Sequence, residues 1–184
     1  MLRLVLAFLC SLVVSPALAT EAGWALLRDG GRVVLLRHAM APGTADPADF
    51  DIGKCSTQRN LSGRGKQQAE RIGALFAARA GDPERVLTSR YCRARDTARI
   101  AFENDKAEDF PPLDQLPADP AAAKAANDAV LAEIRAFSGS GNLVMVTHLE
   151  NIKALTGVSP REGEAVIVAP GEDGLRTLGR IIFN

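Results

Sequence analysis

The sequence VVLLRH at residues 33–38 is an apolar run that ends in an arginine and a histidine. The sequence LVMVTH at residues 143–148 has a similar pattern and also ends in a histidine. Short β-branched apolar runs of this kind predict buried strands. The chain contains two histidines, His38 and His148, and each directly follows such a run. Since ligands of open α/β sheets bind at the carboxyl ends of the strands, we expect both histidines to lie in one site.

Apolar runs alternate with helical patterns along the rest of the chain. The fold class is therefore predicted to be α/β: a three-layer αβα sandwich with a mostly parallel central sheet and a C-terminal β-hairpin. A loop rich in Pro, Gly, Asp and Ala is expected at 40–60, and loops of that length are often lids or specificity elements. The other predicted elements are strands at 32–36, 85–88 and 142–147, a short edge strand at 110–113, helices at 62–80, 91–102 and 120–137, and hairpin strands at 165–169 and 175–183.

The first 19 residues have the pattern of a secretory signal peptide. A short positive segment at 1–3 precedes an apolar run at 4–14, and Ala17-Leu18-Ala19 is a small-x-small cleavage site. The apolar run is shorter than the ~20 residues that a membrane span requires, which disfavours an uncleaved anchor. We therefore expect residues 1–19 to be a signal peptide and residues 20–184 to form one domain in the periplasm or outside the cell.

Charge and composition disfavour nucleic-acid and membrane partners. The chain has 22 basic and 22 acidic residues, and removal of Arg3 with the signal peptide leaves the mature chain slightly acidic. Aromatic residues make up 5% of the chain, too few to suggest base stacking. The mature chain is thus expected to bind neither nucleic acid nor, after signal cleavage, a membrane.

Two cysteines remain in the mature chain, Cys55 and Cys92. In an oxidising compartment such a pair predicts a disulfide, with free thiols or metal ligands as alternatives. The two cysteines and the two histidines could together form a zinc site. Arg37 and Arg93 beside these residues disfavour a cation, so no metal is expected.

The residues near the predicted strand ends suit phosphoryl transfer. Its transition state spreads negative charge over three equatorial oxygens, so catalysis rests on positioning and fixed positive charge. Arg37 lies at the end of the first strand, and Arg93 lies in the first turn of a predicted helix, whose N-terminus also favours an anion. His38 and His148 supply imidazoles, and a neutral imidazole can act as a nucleophile.

Four segments, LLRHA at 35–39, LSGRGKQQA at 61–69, SRYCRARDTA at 89–98 and VMVTH at 144–148, follow one another in the order of a known set of motifs. In these segments the chain resembles the histidine phosphatase superfamily, which includes phosphoglycerate mutases and histidine acid phosphatases. The segments span most of the mature chain. Each motif is weak alone, but four in the family order are specific.

The resemblance implies a role for each site residue. His38 would be the nucleophile and carry a transient phosphoryl group, while Arg37, Arg93 and His148 would hold the phosphoryl oxygens. Water would then hydrolyse the phosphohistidine without a cofactor. The implied function is an exported phosphomonoesterase for small phosphoesters such as envelope phosphosugars. A mutase is less expected, because elements that would recognise a bisphosphate are not visible.

Two positions depart from the family pattern. Ala39 stands where the family usually has glycine, and alanine is strained there if the site requires a positive φ. Leu149 follows His148 where the family often has Asp. Asp114 is the first candidate for a general acid and Glu150 the next, and small members of the family can also lack an obvious acid. Both departures leave open an alternative function, a catalytically silent module that binds phospho-ligands on the same fold.

The predicted disulfide has a further consequence for this site. Cys55 lies in the long loop and Cys92 adjoins Arg93. A disulfide between them would tether the loop to the phosphate-binding helix, and our hypothesis is that it orders one wall of the pocket.

Overall fold

A six-stranded sheet forms the centre of the computed structural model, which describes residues 16–103 and 107–183. The strands are β1 Val33–Arg37, β2 Arg85–Thr88, β3 Ala107–Asp109, β4 Leu143–Thr147, β5 Ala165–Gly171 and β6 Gly174–Ile181. The helices are α1 Pro16–Arg28, α2 Gly63–Arg79, α3 Cys92–Phe102, α4 Pro120–Ala136 and α5 Leu149–Thr156.

The sheet is parallel over most of its width, with the strand order β3-β2-β4-β1-β5-β6. The first four of these strands run parallel to one another. β5 pairs antiparallel with β1, and β6 closes the antiparallel hairpin at the edge. The carboxyl ends of β2, β4 and β1 therefore lie side by side, and the loops that follow them can build one site.

Helices cover both faces of the sheet, as the alternation of side chains along β1 shows. Val34 and Leu36 pack in one cluster with residues of α1, α2 and α3. Val33 and Leu35 point to the opposite face and pack in a second cluster with residues of α4 and α5. This arrangement confirms the predicted three-layer αβα sandwich with its C-terminal hairpin.

The structure differs from the sequence prediction in three places. The helices α1 and α5 were not predicted. The edge strand is Ala107–Asp109 rather than 110–113, and Pro111–Leu113 form a 3-10 turn instead. Pro111 and Pro112 have no N–H to give to a strand ladder, and proline fixes φ near the helical value, which explains the turn.

The predicted signal peptide lies almost entirely outside the described residues. Residues 1–15 are not described, and α1 begins at Pro16, so the predicted cleavage after Ala19 would fall within this helix. Export thus stays a prediction. Over residues 16–103 and 107–183, no helix combines the length and the apolar character needed to cross a membrane.

Candidate active site

The two histidines meet at the carboxyl edge of the sheet. Arg37 of β1 lies opposite Thr147 of β4, so the next residue of each parallel strand is a histidine. The backbone N–H of His38 donates to the carbonyl of Thr147 at 3.0 Å. The ring centroids of His38 and His148 are 5.4 Å apart. Adjacent parallel strands thus bring both imidazoles into one site.

His38 is buried, and its Nε2 atom keeps a lone pair. Its Nδ1 atom lies 2.8 Å from the carbonyl oxygen of Ala39. Because a carbonyl can only accept, the geometry assigns the ring proton to Nδ1. Burial lowers the pKa of His38 to about 3, the Ala39 hydrogen bond opposes this, and the charges of Arg93 and Arg37 add to it. The neutral imidazole with an available Nε2 is the form that can attack phosphorus.

Burial of the neutral histidines makes stability depend on pH. The pKa of His38 falls from its ordinary 6.5 to about 3, and burial lowers the pKa of His148 in the same direction. In the window between these values the unfolded chain binds a proton that the folded chain does not. The contribution of His38 to the free energy of unfolding is therefore fully present above about pH 6.5 and is lost as pH falls toward 3, and His148 contributes in the same direction. The slope for each histidine reaches at most about 1.4 kcal/mol per pH unit, below its pKa in the unfolded chain.

Urea denaturation of the wild type and of His38→Gln between about pH 7 and pH 5 measures this slope. The variant is expected to lose the part of the pH dependence of the unfolding free energy that His38 contributes. The carboxyl groups titrate alike in both proteins, so their contribution cancels in the difference. Equal slopes for the two proteins would contradict the neutral, buried state of His38.

Ala39 fits its position without backbone strain. Its φ does not lie in the left-handed region, so the family's glycine is not needed here for a positive φ. The side chain is fully buried, and the backbone N–H donates to Oγ1 of Thr97 at 2.9 Å. The Thr97 hydroxyl in turn donates to the carbonyl of Arg93 at 2.7 Å. These two bonds join the turn after β1 to the first turns of α3.

Arg93 is completely buried in the first turn of α3. Its Nη1 atom donates to the two carboxylate oxygens of Asp46 at 3.0 and 3.3 Å, and its guanidinium carbon lies 4.7 Å from the ring centroid of Tyr91. Nε and Nη2 are buried and have no hydrogen-bond partner within the described part of the chain. Nε and Nη2 form one edge of the planar guanidinium, and such an edge suits bidentate binding of phosphoryl oxygens.

Arg37 is held from behind by the loop before β5. Its Nη1 atom donates to the carbonyl of Pro160 at 2.9 Å, and its Nη2 atom lies 3.8 Å from Oε1 of Glu162. Its Nε atom is buried and has no partner among the residues described. The guanidinium is therefore fixed in place while part of it remains available for an anion.

His148 is linked through a serine to Asp114. Its Nε2 atom lies 2.9 Å from Oγ of Ser89, and this hydroxyl donates to Oδ1 of Asp114 at 3.0 Å. Because the serine proton goes to the carboxylate, Nε2 of His148 is the donor to Ser89. Arg90 also binds both oxygens of Asp114, through its backbone N–H at 2.7 Å and Nε at 2.9 Å. Asp114 thus reaches His148 through Ser89 and orients its ring.

The segment at 61–69 has a structural role. Oγ of Ser62 accepts from the backbone N–H of Gly65 and caps α2. A Cβ atom on Gly65 would overlap the carbonyl of Met40, so glycine allows this close approach. Gln68 accepts from the N–H of Met40 at 2.9 Å and donates to the carbonyl of Glu162 at 3.0 Å. This motif therefore fixes the chain just after His38.

Cys55 and Cys92 form a disulfide, as predicted from the sequence, with their Cα atoms 5.6 Å apart. The bond closes a chain separation of 37 residues, for which the loop-entropy model gives a stabilisation of about 4 kcal/mol. It joins the long loop to the first residue of α3. It also uses both of the cysteines that the zinc alternative requires, which leaves that alternative without half of its ligands.

A cavity of about 340 Å³ opens over the two histidines. Three of the predicted site residues line this cavity, namely Arg37, His38 and His148, whereas Asp114 does not. Arg93 is buried nearby, and its charge lowers the pKa of both histidines. Arg59 was not predicted, because nothing in the irregular loop signalled it. The residues that line the cavity are Arg37, His38, Thr44, Arg59, Gln115, Leu116, His148, Leu149 and Glu150.

Solved structures share this fold at low sequence identity. SixA of Agrobacterium tumefaciens is 22% identical with a TM-score of 0.57, and the match covers 82% of this chain and 97% of that one. A protein histidine phosphatase SixA in complex with tungstate is 20% identical with a TM-score of 0.56, covering 82% and 96%. A mycobacterial glucosyl-3-phosphoglycerate phosphatase in complex with VO3 is 17% identical with a TM-score of 0.59, covering 80% and 97%.

The sequence comparisons point to one family. No curated protein sequence matches the chain. Residues 33–118 match the family model of the histidine phosphatase superfamily (branch 1), and this range contains three of the four motifs described above. Residues 33–118 are thus similar to the histidine phosphatase superfamily, and the solved structures show that the shared fold extends over 82% of the chain.

Proposed function

We propose that the protein is an exported phosphomonoesterase that acts on small phosphoesters through a phosphohistidine formed on His38. The observation that carries this proposal is the neutral, buried imidazole of His38, whose Nε2 atom is available in a cavity lined by arginines. Arg37, Arg93 and His148 are the groups proposed to hold the phosphoryl oxygens. Because the Nε2–H of His148 is used on Ser89, His148 would do so through Nδ1, which accepts a hydrogen bond from the P–OH group of the phosphate monoanion. Fixed positive charge of this kind is what stabilises a phosphoryl-transfer transition state.

The proposed reaction has two steps. First, Nε2 of His38 bonds to phosphorus while the bond between phosphorus and the ester oxygen breaks, and the leaving oxygen takes a proton from the Glu150 carboxyl group. Second, the Glu150 carboxylate takes a proton from water, the water oxygen bonds to phosphorus, and the phosphorus–nitrogen bond breaks. The products are an alcohol and inorganic phosphate, and both side chains return to their starting states.

Glu150 is the better candidate for the general acid than Asp114. Among the described residues that line the cavity, Glu150 is the one with a carboxyl group. Both oxygens of Asp114 are engaged by Ser89 and Arg90, so Asp114 has no clear route to a leaving group. We therefore propose that Asp114 positions His148 and that Glu150 exchanges protons with the substrate and water.

Glu150→Gln and Asp114→Asn separate these roles. Loss of a general acid is felt most by poor leaving groups, so Glu150→Gln is expected to lower kcat/KM about 100-fold for an alkyl phosphate and much less for an aryl phosphate. Asp114→Asn is expected to lower kcat/KM by similar factors for both substrates, because it acts through His148. If Asp114→Asn shows the dependence on leaving group and Glu150→Gln does not, the assignment is reversed.

The size of the cavity and the fold relatives support small phosphoesters. Its volume of about 340 Å³ suits a phosphoryl group with a compact leaving group. One of these relatives is a glucosyl-3-phosphoglycerate phosphatase, and envelope phosphosugars are the substrate class that we propose for an exported enzyme. The disulfide and the pattern of the first 19 residues support an oxidising compartment outside the cytoplasm.

Hydrolysis of an aryl phosphate by the purified, disulfide-bonded chain tests this function. An aryl phosphate has a good leaving group, so turnover depends little on the general acid. We expect release of inorganic phosphate, and a panel of phosphosugars then ranks natural substrates. Retained phosphate binding without turnover of any substrate would favour the catalytically silent binding module.

A further inference from the structure

Arg59 reaches the cavity from the long loop between β1 and α2. Its side chain is 13% exposed and lines the cavity with both histidines. Its Nη2 atom donates to the carbonyl of Ala41 at 2.8 Å, and its Nε atom donates to the carbonyl of Pro42 at 3.2 Å. Two backbone carbonyls therefore fix the orientation of the guanidinium, which points to a defined position rather than a mobile surface charge.

Among the described residues that line the cavity, two arginines, Arg37 and Arg59, stand against one carboxylate, Glu150. Nη2 of Arg37 and Nη2 of Arg59 each lie 3.8 Å from the same oxygen, Oε1 of Glu162. The single carboxylate of Glu162 therefore forms only long ion pairs with both guanidinium groups. Two like charges held this close are stabilised by an anion that contacts both.

Arg59 is also within electrostatic reach of the proposed nucleophile. Its charge contributes to the lowered pKa of His38 and of His148, after burial as the main cause. It likewise adds to the lowered pKa of Arg93 and Arg37, for which burial is again the main cause. These four groups surround the position where the phosphoryl group would bind.

Three contacts attach the segment that carries Arg59 to the start of α3. The disulfide joins Cys55 to Cys92, and Oε1 of Gln58 accepts from the backbone N–H of Cys92 at 2.9 Å. Oδ1 of Asp46 accepts from the backbone N–H of Arg59 at 2.8 Å and from Nη1 of Arg93 at 3.0 Å. The loop and the phosphate-binding helix are therefore locked together next to both arginines.

We propose that Arg59 is a third arginine that binds the transferring phosphoryl group, and that the Cys55–Cys92 disulfide holds it at the cavity. The proposal rests on the proposed function of the same site. Three arginines and His148 would then surround the three equatorial oxygens on which negative charge develops. The long loop, which has no motif of its own, thereby supplies part of the binding site.

Calorimetric binding of inorganic phosphate, the reaction product, tests whether Arg59 binds the phosphoryl group. Arg59→Gln is expected to raise the phosphate Kd about 10- to 100-fold, the cost of losing a charged hydrogen-bond donor, and to lower kcat/KM for an aryl phosphate by a similar factor. Arg59→Lys should recover part of the affinity, since it keeps the charge. Arg64→Gln, an exposed arginine in the first turn of α2, is the matched control and should bind phosphate like the wild type.

The outcomes separate this proposal from the proposed function. A wild type that binds phosphate without turnover, together with weak binding by Arg59→Gln, would overturn the phosphatase and leave Arg59 as an anion ligand. Turnover with the same phosphate Kd for Arg59→Gln and Arg64→Gln would overturn the role of Arg59 alone. If the wild type shows neither binding nor turnover, both proposals fail.

The double variant Cys55→Ser/Cys92→Ser tests whether the disulfide holds Arg59 at the cavity. It should raise the phosphate Kd toward that of Arg59→Gln, and adding Arg59→Gln to it should change the Kd little, because the two changes remove the same contact. If the serine variant does not fold by circular dichroism, the folded wild type reduced with dithiothreitol gives the same comparison. Unchanged phosphate affinity after loss of the disulfide would contradict the role of the disulfide in holding Arg59. Unchanged folding and turnover would contradict the hypothesis that the disulfide orders one wall of the pocket.

Discussion

Replacing His38 by alanine is expected to lower aryl phosphate hydrolysis by a factor on the order of 10⁴ or more, because the variant has no nucleophile. The side chain is 3% exposed, and its removal leaves Arg37, Arg93 and Arg59 in place. Binding of inorganic phosphate should therefore survive within a few-fold. Initial rates and calorimetric phosphate binding on the same preparations measure both effects.

His148→Ala is the comparison variant for this experiment. His148 is proposed to hold the phosphoryl group rather than attack it, so its loss is expected to cost about 100- to 1000-fold and still allow phosphoenzyme to form. An outcome in which His148→Ala is inactive and His38→Ala is active would exchange the two roles. Near wild-type activity of His38→Ala would mean that the nucleophile lies elsewhere.

Arg93→Lys is expected to have the second largest effect, a loss of about 100- to 1000-fold in kcat/KM. Lysine keeps the positive charge but lacks the planar edge formed by Nε and Nη2, the buried atoms proposed to bind two phosphoryl oxygens. Lysine can still pair with Asp46, so the fold should be retained. The loss should be visible in kcat as well as KM, since the charge on the oxygens grows in the transition state.

Arg95→Lys is the matched control on the same helix. Arg95 lies two residues further along α3 and pairs at the surface with Asp109, with Nη2 and Oδ2 2.7 Å apart. Its replacement should leave kcat/KM within about two-fold, as surface ion pairs contribute little. Equal effects of the two substitutions would show that the buried guanidinium of Arg93 has no special role.

The sequence carried enough information to locate the centre of the site. His38 and His148 follow buried strands, and parallel pairing brings the ends of adjacent strands together, so their proximity follows from strand order alone. Arg93 could be placed because it follows a short strand and opens a helix. In each case a regular element with a clear periodicity determines where the side chain goes.

Residues positioned by tertiary contacts could not be placed from the sequence. Arg59 lies in an irregular loop and reaches the cavity through a disulfide, the Asp46 carboxylate and two backbone carbonyls. Asp114, the first candidate for the general acid, is bound by Ser89 and Arg90 and is not among the residues that line the cavity. Local patterns contain no information on such long-range contacts.

The missed elements have similar explanations. α5 is eight residues long and begins directly after His148, so its pattern is too short to separate from that of the preceding strand. α1 overlaps the segment assigned to the signal peptide. The edge strand was placed too late because the prolines at 111 and 112 were interpreted as typical of an edge strand, whereas pairing with β2 ends at Asp109.

Mapping of the phosphorylated residue tests the central claim most directly. The wild type is mixed with an aryl phosphate, and the reaction is quenched in alkali because phosphohistidine is labile to acid. The protein is then digested, and the peptides are analysed by mass spectrometry. The phosphoryl group is expected on the peptide that contains His38, and no phosphopeptide is expected from His38→Ala. A phosphoryl group on another residue such as Ser89, or turnover without any phosphoenzyme under single-turnover conditions, would contradict a mechanism through His38.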